Sequence, residues 1–170
     1  AALYRSLLLA AVIGLVILLA RGPLSHYGFL LVGGTQDVQF WGQRYFDIRV
    51  LGVPLVLATM ALNGFFLGTA YAVGPLLITV VTNVVNVAAD YALIFGHWGA
   101  PELGVVGAAW ASVTANGIGL VVGVAVLLWR YRGYLICPRI GSLLDPERLR
   151  HLLDTNVNLL GRTLCLLFAQ

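Results

Sequence analysis

Long apolar stretches alternate with short polar ones along this chain. The runs lie near Leu7–Leu19, Val50–Leu67, Leu76–Phe95 and Val105–Trp129. A helix needs about 20 largely apolar residues to cross the hydrocarbon core of a bilayer, and the last three runs reach that length. Breakers set the rest of the pattern. Arg21, Gly22 and Pro23 interrupt the first run, and Tyr27–Val32 continues it past a kink. Gly33–Gln43 reads as a loop, opened by Gly33-Gly34 and the polar Thr35-Gln36-Asp37. Pro75 fits the first turn of a helix that follows a tight connection over Thr69–Gly74. The pattern thus predicts an all-α, polytopic transmembrane bundle with spans over about 3–32, 45–68, 75–95 and 104–129. In the last of these, Gly107, Ala108, Ala109, Ala111 and Ser112 make a small-residue face for close helix packing.

Composition agrees. The chain is 60% hydrophobic and only 10% charged, against about 25% charged residues in an ordinary soluble domain. The first run lacks the basic flank and small-residue cleavage site of a targeting segment, so it is read as a span. All ten basic residues are arginine, and Arg130, Arg132, Arg139, Arg148 and Arg150 fall in one stretch. That asymmetry is a topology signal rather than a nucleic-acid patch. It predicts a cytoplasmic basic loop over 130–155, which places 97–103 outside. Within this loop Leu143–Leu153 can form a short surface helix or remain a solvated charge run. A further span starts near Asn156 and is cut at Gln170. Met60 is the only methionine, and we expect the chain to be a stretch of a longer protein. Cys137 and Cys165 have no metal or redox spacing.

One residue stands out against this background. Asp90 is the only formally charged side chain between Arg49 and Glu102, and it lies inside the third span. A carboxylate at membrane depth costs about 2.5–3.5 kcal/mol on insertion scales, and such groups mark ion pathways, proton relays or polar helix contacts. Thr79, Thr82, Asn83, Asn86 and Asp90 follow one another in steps of three, one, three and four, so they form one polar stripe. Asn86 and Asp90 are one turn apart. The second span offers Asn63, and the fourth Ser112, Thr114 and Asn116. One carboxylate among carboxamides and hydroxyls is a hard-oxygen set, suited to a proton or to Na⁺ at Asp90 and Asn86, and unsuited to zinc or copper. Polar stripes also serve simply to join helices, and that reading fits Thr79, Thr82 and Asn83. Asp47 and Arg49, at a span end, read as interfacial anchors. Asp90 is ~22 Å along its helix from Pro75, and Asn63 lies on an antiparallel neighbour, so the two meet only through Asn86 or a kink at Pro54.

The stretches YFDIRVLGVPLVLATMALNGFFLG, GPLLITVVTNVVNVAADYALIFG and GVVGAAWASVTANG resemble, in order, spans four, five and six of the multidrug and toxic compound extrusion (MATE) transporters. The tail NVNLLGRTLCLL is similar to the opening of span seven in the DinF-like branch, and the first segment fits span three. The resemblance implies a part of a twelve-span fold with two pseudo-symmetric lobes, the residues beyond 156 starting the second lobe. It implies a cation or proton site at Asp90, with Asn86, Asn63 and Ser112 beside it; Ser112 stands where the family has threonine. The turn GTAYAVGP departs from the family, which usually has charge there, and the lobe's other carboxylate, on span one, is not in this chain.

The function implied is antiport of H⁺ or Na⁺ against amphipathic organic compounds, in the bacterial inner membrane. The partners are the bilayer and small solutes, with no cofactor and no nucleic acid. A lipid-linked saccharide flippase of the same superfamily is the alternative; it would line its cavity with arginines, and the predicted span interiors hold none. An intramembrane enzyme is the third reading. His26, His97 and His151 sit in or beside loops, and there is no H-E-x-x-H or G-x-S-x-G motif.

Overall fold

A computed structural model describes residues 2–33 and 35–132. Six helices follow in order: α1 (Ala2–Leu19), α2 (Arg21–Val32), α3 (Gln36–Leu51), α4 (Val53–Gly68), α5 (Val73–Phe95) and α6 (Val105–Tyr131). A single 3-10 turn, His97–Gly99, lies between α5 and α6. Of the expected basic loop over 130–155 only Arg130–Arg132 is described, and the expected span start at 156–170 lies outside the described residues.

Two helices, α5 and α6, are long and apolar enough to cross a membrane unaided. The other four form two bent pairs, each of which passes the same test of length and hydropathy only when its two helices are taken together. Leu3–Leu19 and Arg21–Leu30 meet at 58°, and Gln36–Leu51 and Val53–Gly68 at 43°. Each break sits where the backbone ladder is weakened. Pro23 lies in the first turn of α2 and Pro54 in the first turn of α4, where a missing N–H costs no intrahelical bond. The result is a restart of the helix at a new angle rather than a kink within it.

The expected loop over 33–43 needs correction. α2 runs to Val32, and α3 is already helical from Gln36. Thr35 is extended at the N-cap position and Asp37 occupies the first turn, where its charge favours the helix dipole. The polar composition that reads as a loop is instead the first turns of a helix whose aromatic residues pair with a cation: the Arg44 guanidinium lies 4.8 Å from the centroid of Phe40.

The most extensive packing joins α5 to α6; α3 and α4 also lie on α6, and α1 on α4. The seam on α6 is a stripe of small residues. Gly107, Ala111, Ala115, Gly119, Gly123 and Leu127 recur every fourth position and all are buried, which keeps them on one face. At Gly107 a Cβ would collide with the backbone carbonyl of Leu93, and at Gly119 with the Thr82 hydroxyl. These positions let the two helices approach to backbone contact, which is how membrane helices gain packing without a hydrophobic drive between them. The link between them closes on itself: Gly96 ends α5 in the left-handed conformation, and Leu103 N donates to Leu93 O at 2.9 Å.

The apolar core sits at the end of the bundle that carries the Thr69–Ala72 turn. Leu3, Leu62, Phe66, Ile78 and Leu127 are its buried members. Polar groups concentrate farther along α5.

Candidate functional site

The polar stripe of α5 faces α6 on one side and α4 on the other. Asn86 is the residue on which it turns. Its Nδ2 donates to Ser112 Oγ on α6 at 3.4 Å, a long bond beside the usual 2.7–3.2 Å. Of the expected site residues, this pair is brought into direct contact.

Asp90 stands one turn beyond Asn86. The residue is partly buried, and its Oδ1 is buried with no hydrogen-bond partner among the described residues. A buried acceptor left unpaired is costly, and more so when it carries charge. Taking up a proton removes that charge and turns the carboxyl into a donor as well as an acceptor.

Asn63, on α4, lies lower. It lines a cavity of about 210 Å³ with Thr59, Thr79, Thr82, Asn83 and Asn116 among its walls. Its Oδ1 is also buried without a partner among the described residues. The α5 residues opposite it end at Asn83, seven positions before Asp90 and so ~10 Å short of it along the helix. Asn63 is linked to Asn86 through shared neighbours: Thr82, Asn83 and Asn116 line both the cavity beside Asn63 and the one beside Asn86. The polar groups therefore form a chain along α5, not a single ring of ligands.

Sequence reasoning missed two members of this chain. Asn116 was one of several polar residues on the fourth span; the structure sets it on both cavities, with its Nδ2 3.7 Å from where a Cβ of Gly52 would stand. Arg49 was expected to be an interfacial anchor. It is half-buried instead and lines a cavity of about 140 Å³ with Thr82, Asn83, Asn86, Ser112, Ala115 and Asn116. The reason is the bend at Gly52. The end of α3 lies against α6 at this bend, with Val113 and Asn116 within 4 Å of where a Cβ of Gly52 would stand, and Arg49, three residues earlier, comes to the polar seam. The one sequence signal was Gly52 itself, next to Pro54 in an apolar run.

Comparison with known proteins agrees with this architecture. The MatE family profile matches residues 1–92. The chain is 35% identical over 125 residues to DNA damage-inducible protein F of Escherichia coli (strain K12), an alignment that covers 74% of this chain and 26% of that protein. It is 29% identical over 167 residues to Protein DETOXIFICATION 43 of Arabidopsis thaliana, covering 95% of this chain and 30% of the relative. A probable multidrug resistance protein NorM of Rhizobium meliloti (strain 1021) is 38% identical over 96 residues, which is 55% of this chain and 21% of that protein. The chain thus spans between about a fifth and a third of the length of these relatives. No solved structure gives a significant match. With more than half of its residues under one profile, and with relatives aligned through its apolar helices, the chain belongs to the MatE family of multi-pass integral membrane transporters, the multidrug and toxic compound extrusion proteins.

Proposed function

We propose that this chain carries the coupling carboxylate of a DinF-like multidrug exporter, and that Asp90 takes up and releases the proton whose inward flow drives export of amphipathic organic compounds. The observation that carries the reading is the buried, unpartnered Oδ1 of Asp90 among the described residues, one turn from the Asn86–Ser112 bond. In its charged state Asp90 can only accept hydrogen bonds. Protonated, it can donate to the carboxamide oxygen of Asn86, whose amide nitrogen is already engaged with Ser112. The two states thus prefer different packings of α5 against α6, and a ligand that binds one packing better shifts the population toward it. The relatives named for multidrug resistance support the export reading.

Of the two coupling ions left open by the residue types we take the proton, which needs only the Asp90 carboxyl; Na⁺ needs several converging oxygens, and the polar groups here lie in a chain along α5 rather than in a ring. A single arginine on a cavity of about 140 Å³ is no chamber for a lipid-linked saccharide. By the arginine asymmetry, we place 97–103 outside and the end of α6 in the cytoplasm.

The test is Asp90→Asn in the full-length transporter, a change that preserves shape and removes the titratable proton. Proton-driven drug export in vesicles should fall to background, with expression and membrane insertion close to wild type. Full export by this variant would reduce Asp90 to a helix-joining group and end the proposal.

A further inference from the structure

The charge of Arg49 is not used by a proton site at Asp90, and the cavity it lines has an unusual set of walls. Among the described residues every lining residue besides Ala115 is polar: Thr82, Asn83, Asn86, Ser112 and Asn116, with Arg49 the only ionised one. No carboxylate lines it, and among the described residues no acidic group lies within ion-pairing distance of Arg49. The bond from Asn86 fixes the direction of a donor. Ser112 Oγ accepts from Asn86 Nδ2, which leaves the Ser112 O–H to donate elsewhere. Asn83 and Asn116 each bring a carboxamide N–H₂, and Thr82 a hydroxyl. The carboxamides and hydroxyls can turn either a donor or an acceptor to a ligand, and the guanidinium, which only donates and is always charged, decides the sign. Such a set selects an anion.

We propose that this cavity binds a small monovalent anion, with the carboxylate group as its preferred chemistry. Size agrees with the choice: about 140 Å³ admits a carboxylate head or a halide. Position gives it a consequence. The cavity joins the end of α3, next to the break at Gly52, to α5 and α6. An anion held there ties the broken span to the helix that carries Asp90. The inference does not rest on Asp90 being the coupling group, and the two can fail separately.

The measurement is binding of acetate to the full-length transporter in detergent, followed by saturation-transfer NMR and competed with chloride at constant ionic strength. Saturable acetate binding is expected. Arg49→Gln should weaken it by at least about tenfold, the scale of one lost charge-assisted contact. Arg49→Lys should retain part of it. Ser112→Ala should weaken it less than Arg49→Gln does, and it serves as the reporter if the arginine variant does not fold. Asp90→Asn should leave acetate binding in place. Two sources of the anion are separated by counterflow in proteoliposomes. Acetate counterflow that disappears in Arg49→Gln assigns the cavity to the carboxylate of a transported compound. Chloride that displaces acetate at lower concentration, with no acetate counterflow, assigns it to an inorganic ion and overturns the preference for carboxylate. The proposal is overturned if neither anion binds saturably, or if Arg49→Gln and Ser112→Ala both bind as wild type. It is also overturned if binding appears only in Asp90→Asn, because the cavity's carboxylate would then be Asp90 itself.

Discussion

The two halves of α5 are held in opposite ways. At its first turns Gly74 and Ile78 are buried, Phe66 of α4 is fully enclosed against them, and Leu62 is 1% exposed. Aromatic rings close the same end: Phe66 lies 6.0 Å from Tyr71 and 6.3 Å from Tyr131, and the hydroxyls of Thr69 and Tyr131 are 2.7 Å apart. In the second half, the side-chain bond to α6 is a long one, at 3.4 Å, and Asp90 keeps a buried oxygen without a partner among the described residues. Packing that is complete resists rearrangement. Polar groups that are incompletely satisfied have little to lose by finding new partners. A transporter needs both: a fixed end to pivot on, and a region whose two arrangements differ by little enough for one proton to decide between them.

The largest effect should come from the fixed end. Phe66→Ala empties a fully enclosed ring position and is expected to destabilise the full-length protein by about 3–5 kcal/mol. The molecules that stay folded should keep the pH dependence of export. Unfolding in detergent followed by the remaining export per folded molecule checks both halves of the statement. A stability loss under about 1 kcal/mol would show that this cluster is not the anchor.

An intermediate effect is expected at the α5–α6 seam, and it separates the two halves more finely. Gly107→Ala sets a methyl group against the Leu93 carbonyl, which is backbone and cannot turn aside. The cost should be about 1–3 kcal/mol, net of the small gain in helix propensity. Gly119→Ala meets the Thr82 hydroxyl instead, and a side chain can rotate away. It should cost less stability than Gly107→Ala yet disturb the polar chain, because Thr82 lines both cavities. Comparison of unfolding midpoints with export rates for the two variants decides it. Equal losses in both readouts would mean that the seam behaves as one unit.

The two long helices were legible in the sequence to within about two residues at each end. The expected 75–95 and 104–129 compare with Val73–Phe95 and Val105–Tyr131, because apolar length and the flanking glycines decide such helices locally. The family resemblance set Ser112 beside Asn86 and Asp90, and the structure brings Asn86 and Ser112 to 3.4 Å. The start of α3 was not. Its first turns are polar, and hydropathy cannot tell a polar helix from a loop. Arg49 was misread for a different reason. Its surroundings depend on a 43° bend and on which side of α6 the bent helix touches, and those are properties of tertiary packing. Asn63 falls between these cases: residue type marked it as unusual, while antiparallel geometry placed it opposite Asn83 rather than Asp90.

The smallest change in stability is expected at Asn63, and it gives the most direct test of the contrast. Leucine has as many side-chain heavy atoms as asparagine, in the same branched shape, and no polar atom. If Asn63 were a joint between helices, Asn63→Leu would break hydrogen bonds and cost about 1–3 kcal/mol. The structure shows its Oδ1 buried without a partner among the described residues, so leucine removes an unmet acceptor rather than a bond. The full-length protein should unfold within about 1 kcal/mol of wild type or at a higher midpoint. Export should fall all the same, since the cavity of about 210 Å³ that Asn63 shares with Thr79, Thr82 and Asn83 would lose a polar wall. Stability kept and transport lost would mean that this asparagine is retained for what it does in motion. Stability lost with transport kept would place Asn63 with Phe66 among the anchors, and the division of α5 into a fixed and a movable half would have to be drawn nearer to Asn86.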